Sequence, residues 1–146
     1  MKNLTFQIAI LLSLGLILIA TSSAISRKRQ ERYESISDEG FLSEYTKRFQ
    51  VYGSDIIAIR YYIADIFHVQ ADKLKVDMKI SDIKNITGFL GEFELGIDEI
   101  LDEVEDEIAY NEKITDLSIT IGEIINLIDM KESRLGGRFR AGGLYE

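Results

Sequence analysis

The chain has 146 residues, with no cysteine, proline or tryptophan, and a formal net charge of −8 at pH 7. The missing cysteines exclude disulfides, thiolate metal sites, a cysteine nucleophile and a lipidated cysteine anchor. The acidic balance argues against binding the phosphate backbone of nucleic acid, which needs Lys and Arg to release counterions.

The charge is unevenly distributed. The first thirty residues hold four of the 17 basic residues and none of the 25 acidic ones. Lys2 precedes an apolar run centred on Ile8 to Ala20, and Arg27, Lys28 and Arg29 follow it. A helix needs about 20 apolar residues to cross a hydrocarbon core, so residues 1–26 read as a single transmembrane signal anchor. Three basic residues after the segment against one before it keep the following chain on the cytoplasmic side. The alternative is a cleaved signal peptide, with Ser22-Ser23-Ala24 as the cut site and an exported domain as the product.

The remainder predicts an all-α protein. Residues 27–54 read as a juxtamembrane linker and helix, with Ser37-Asp38 capping a helix near Glu39. Gly53-Ser54-Asp55 is a break and a fresh N-cap, and Ile56, Ile59, Ile63, Ile66 and Phe67 recur at helical spacing. His68 to Ile83 reads as a loop with spaced apolar residues. Phe89, Phe93, Ile97, Ile100, Leu101, Val104 and Ile108 form the stripe of a long helix whose other face is acidic, with no basic residue from Phe89 to Asn111. Gly88, Gly91 and Gly96 weaken its first half. A short last helix is expected over Thr120 to Ile128, and residues 131–146 read as a flexible Gly/Arg tail.

This order of elements over residues 55–130 resembles the acyl carrier protein family. Ile63-Ala64-Asp65-Ile66-Phe67-His68-Val69 followed by Leu74 is similar to that family's turn after its first helix. Ile80-Ser81-Asp82-Ile83 resembles its apolar, acidic-leucine loop. Ile100 to Ile108 resembles the acidic end of its second helix, and Ile119 to Ile125 its entry into the last helix. The resemblance implies a four-helix carrier-like domain. It does not extend to the serine that carries the phosphopantetheine arm: no serine occurs between Ser81 and Ser118, and Thr87 stands nearest that position.

Two function classes follow. The first is a membrane-anchored, non-enzymatic interaction module in which Glu99, Asp102, Glu103 and Asp106 meet a basic protein partner. Arg27, Lys28 and Arg29 would contact anionic lipid heads. No catalytic residue, cofactor, metal site, nucleic acid or small-molecule substrate is expected: His68 is the only histidine, and an exposed carboxylate stripe lacks the cleft that separates pKa values for acid–base catalysis. The second class is a divergent carrier serving a membrane-associated acyl transferase, modified at Thr87 or elsewhere.

Overall fold

The computed structural model describes residues 2–87, 90–104 and 117–140. Among them are six α-helices and no strand: α1 (Lys2–Gln30), α2 (Asp38–Arg48), α3 (Ile56–Ile66), α4 (Ile80–Thr87), α5 (Leu90–Val104) and α6 (Ile121–Leu135), with a 3-10 turn at Ala71–Lys73.

α1 is long and apolar enough to cross a membrane. Leu4, Phe6, Leu11, Leu16 and Leu18 stand well exposed on it, a continuous apolar surface far larger than soluble proteins present to water. At about 1.5 Å per residue its 29 residues extend for about 43 Å.

α2, α3 and α6 start where side chains satisfy their first amides. Ser37 accepts from Gly40 N–H, and the Asp55 carboxylate accepts from Ile57 and Ala58 N–H at 3.0 and 3.1 Å. Thr120 and Glu123 form a reciprocal capping box at the start of α6. Gly136, in the left-handed region at φ 84°, ends that helix.

One core joins these helices. Phe41 and Tyr45 of α2 pack with Ile59 and Ile63 of α3, Ile83 and Ile86 of α4, Phe93 and Ile100 of α5, and Ile124 and Ile128 of α6, all buried. Two close approaches depend on glycine. A Cβ on Gly96 would lie 2.6 Å from the Phe67 ring, and one on Gly122 would lie 2.6 Å from Phe49 and 2.9 Å from the Val76 carbonyl. Gly96 therefore seats α5 on the end of α3, and no bend is needed to explain it.

Several expected boundaries move. The helix drawn over residues 1–26 continues to Gln30. Within the expected linker and helix of residues 27–54, α2 buries Phe41 and Tyr45 in the core. The domain therefore begins well before residue 55. The last four residues of the expected loop His68–Ile83 form the start of α4, whose Ile80, Ile83 and Ile86 face inward. The short last helix runs on to Leu135. The tail from residue 131 is not free: Lys131 to Leu135 complete α6, Phe139 is buried, and the Phe139 carbonyl accepts from Asp55 N–H. The expected acidic continuation past Val104, including Asp106, lies outside the described residues, as do Gly88, Phe89 and residues 141–146.

Two buried charges hold the connections. Arg60 is 0% exposed, and its guanidinium sits 4.3 Å from the centroid of the Phe41 ring. It donates to the Asp38 carboxylate at 2.8 Å and to the Ile36 and Leu74 carbonyls at 3.1 and 3.0 Å. Burial lowers its pKa, and the Asp38 charge opposes that shift. Asp129 of α6, also fully buried, accepts from Tyr52 and Ser54 N–H at 2.7 and 3.0 Å and so fixes the turn between α2 and α3.

Candidate membrane junction and acidic face

Two places on the molecule combine chemistry with access: the joint between α1 and the domain, and the outer face of α5.

The joint is built from the last turn of α1. Gln30 is buried at 5% exposure. Its side-chain carbonyl accepts from Gln70 N–H at 2.8 Å, and its amide donates to the His68 carbonyl at 3.4 Å. His68 can present that carbonyl because it ends α3 in the left-handed conformation, at φ 53°. The segment after α1 is held to the same loop. Lys73 Nζ donates to the Tyr33 carbonyl and the Ser35 hydroxyl, at 2.9 and 2.7 Å, and Ile36 N–H donates to the Asp72 carbonyl. Each such bond contributes about 1 kcal/mol net. Together they tie the last turn of α1 and the segment after it to the loop that follows α3.

Above the joint, α1 and the domain enclose a groove of about 1020 Å3. Arg27 and Arg29 line it, whereas Lys28 does not. Thr87 lines it from the domain side. Thr87 is the last residue of α4, only 4% exposed, and its hydroxyl donates to the Lys84 carbonyl at 3.4 Å. It does not open a helix, as the carrier position of the resembled family does. Between α5 and α6 the core retains a void of only about 10 Å3, room for about one water and none for an acyl chain.

On α5 the expected partner-binding carboxylates separate. Glu99 and Asp102 are exposed, as are Glu94 and Asp98. Glu103 turns inward. It receives the Tyr62 hydroxyl at 3.4 Å and pairs with Arg138, which also grips Glu132 through its backbone N–H at 2.7 Å and its guanidinium at 3.0 Å. Burial pushes the Tyr62 phenol pKa up, reinforced by Glu103. For Arg138, burial acts downward, but the Glu132 hydrogen bonds and the Glu103 charge outweigh it and the pKa rises. Glu103 is thus satisfied inside the chain. The spacing of acidic residues on one helix does not distinguish it from its neighbours; its inward turn depends on Arg138 and Tyr62, distant in sequence.

Sequence reasoning also passed over Leu95. It is 72% exposed and lies one helical turn from Asp98 and Glu99 and two from Asp102. Among the described residues no three His, Asp or Glu side chains come together as a metal site. No family model, curated protein or solved structure matches the chain.

Proposed function

We propose that the chain is a membrane-anchored, non-enzymatic interaction module. α1 crosses the membrane and is retained, and the helical domain sits at the cytoplasmic face in a fixed pose. The observation that carries this reading is the Gln30 joint. A helix that only directs export has no need to be built into the domain it delivers, yet Gln30 bonds the loop after α3. Cleavage after Ala24 would also remove Leu18, Ile19 and Ser22, which form one wall of the groove. Three basic residues beyond the apolar run favour the cytoplasmic orientation.

The surface offered to a partner is the outer stripe of α5. An exposed leucine ringed by Asp98, Glu99 and Asp102 suits a partner segment with an apolar anchor and flanking Lys or Arg. Order along the chain is consistent with a carrier-like helical domain put to binding use, while the burial of Thr87 counts against carrier chemistry.

The test has two parts, made on full-length protein in its native membranes. The chain should resist extraction by alkaline carbonate and keep the mass of residues 1–146. Replacing Glu99 and Asp102 with Lys should abolish capture of the basic partner in a pull-down while the thermal midpoint stays unchanged. Extraction of a shortened chain would sink the anchor, and undiminished capture would sink the acidic surface.

A further inference from the structure

The groove beside α1 changes character along the helix axis. At one end its wall is apolar, formed by Leu18 and Ile19. Ser22 and Ser26 follow, both half-buried on the side facing the domain. Arg27 and Arg29 stand at the other end, beside His68 and Gln70 of the domain. From Leu18 to Arg29 the rise is about 17 Å at about 1.5 Å per residue. Ile25 and Val69 add apolar surface near the arginines, but the guanidiniums are confined to one end, so that from Leu18 to Arg29 the wall passes from hydrocarbon through hydroxyls to positive charge, the order of acyl chain, ester and phosphate in a phospholipid. Among the described residues neither arginine side chain has a carboxylate partner, although the domain beneath them is strongly acidic. The volume, about 1020 Å3, is at the upper end of the range for small-molecule sites, about 300–1,000 Å3.

We infer that this groove seats one anionic phospholipid of the surrounding membrane. An acyl chain lies along Leu18 and Ile19, the ester region meets Ser22 and Ser26, and the phosphate is held between Arg27 and Arg29 at the mouth of the domain. The inference rests on the reading of α1 as a membrane span. It goes further in making the lipid part of the joint: a bound headgroup lies beside the loop at His68 to Gln70, which Gln30 already ties to α1, and adds a second tie between helix and domain.

The test reconstitutes the full-length chain in vesicles of phosphatidylcholine with a minor share of phosphatidylserine, extracts it in mild detergent, and weighs the intact complex by native mass spectrometry. Phosphatidylserine should be retained in preference to the more abundant phosphatidylcholine. Retention should fall about fivefold for each of Arg27→Gln and Arg29→Gln, both at exposed positions. It should be unchanged in Lys28→Gln, which removes the same charge from outside the groove. Ser22→Phe, which fills the groove without altering charge, should abolish it. An equal loss in Lys28→Gln, full retention in Ser22→Phe, or equal retention of both lipids would overturn the site in favour of diffuse surface attraction. Release of the chain by alkaline carbonate would instead overturn the membrane reading itself, an outcome distinct from a membrane-integral chain that retains no lipid.

Discussion

The side chain of Gln30, at the end of the apolar helix, accepts a hydrogen bond from the backbone of Gln70 at 2.8 Å, forty residues along the chain. That bond and the donation to His68 turn an anchor into a mount. Gln30→Ala removes both and leaves the Gln70 N–H without its acceptor in a partly buried setting. The expected cost is about 1–3 kcal/mol, read as a lower thermal midpoint of the detergent-solubilised chain, together with new proteolytic cleavage between residues 31 and 37. A variant with wild-type protection would show that the joint is held elsewhere.

Arg60 makes a second joint, between the segment entering α2 and the loop after α3. Arg60→Ala should destabilise the fold by about 3 kcal/mol, since it strands the Ile36 and Leu74 carbonyls and opens a space over Phe41. Asp38 is partly exposed and regains water, which limits the loss. Arg60→Lys should recover less than half, because a single ammonium lacks the planar fork that reaches three acceptors. Denaturant midpoints of the two variants decide it; equal midpoints for Lys and Arg would contradict the fork geometry.

Much of this arrangement could be read before the coordinates, and the failures have identifiable causes. The apolar run of α1, the caps at Ser37 and Asp55 and the inward isoleucines of α3 and α6 are local signals, and the structure has them. α4 is only eight residues long, and its apolar positions Ile80, Ile83 and Ile86 fit a spaced loop as well as two helical turns. The order of residues 136–140 is not legible in the sequence, because Gly136, Gly137 and the three arginines Arg134, Arg138 and Arg140 suggest mobility. That order comes from partners distant in sequence: Glu103 and Glu132 for Arg138, and the Asp55 amide for the Phe139 carbonyl. Gln30 gave no signal at all, being one polar residue in a basic stretch.

Tyr45 is buried with its hydroxyl unpartnered among the described residues. Burial raises its pKa well above the ordinary value of 10.0, and the nearby Asp129 charge adds to the shift. Because the folded pKa lies above the unfolded one, ionisation of this phenol works against the fold: nothing is lost below pH 10, and stability falls as pH rises beyond it. Tyr45→Phe should therefore stabilise the neutral protein by about 1 kcal/mol, by removing an unsatisfied hydroxyl, and should weaken the alkaline loss of stability. Tyr62, whose pKa shifts the same way, contributes to the part that remains. Thermal midpoints at neutral and strongly alkaline pH measure both effects. A lower neutral midpoint for the Phe variant would reveal a partner for the hydroxyl.

Gly96 and Gly122 are positions where helix propensity and packing oppose each other. Alanine gains about 1 kcal/mol of helix propensity, but its Cβ would lie 2.6 Å from the buried Phe67 ring at the first site, and 2.9 Å from the Val76 backbone at the second. Overpacking of this kind costs about 1–3 kcal/mol, so both variants should be destabilised, Gly122→Ala more because a backbone carbonyl cannot turn aside. Gly15→Ala, inside α1 with nothing within 4 Å, is the control: with no clash to oppose the propensity gain, it should not lower the midpoint. Stabilisation by Gly122→Ala would mean that α6 sits farther from the loop at Val76 than described.

The fixed pose of the domain on a retained membrane helix is tested most directly by one distance. The chain has no cysteine, so nitroxide labels can be placed at Ala24→Cys and Asp77→Cys, both exposed positions, in full-length protein reconstituted in a bilayer. Pulsed electron–electron resonance should give a single narrow distance distribution, which broadens in Gln30→Ala. A broad distribution in the otherwise unaltered chain, or a mature protein from which position 24 has been removed, would contradict the account.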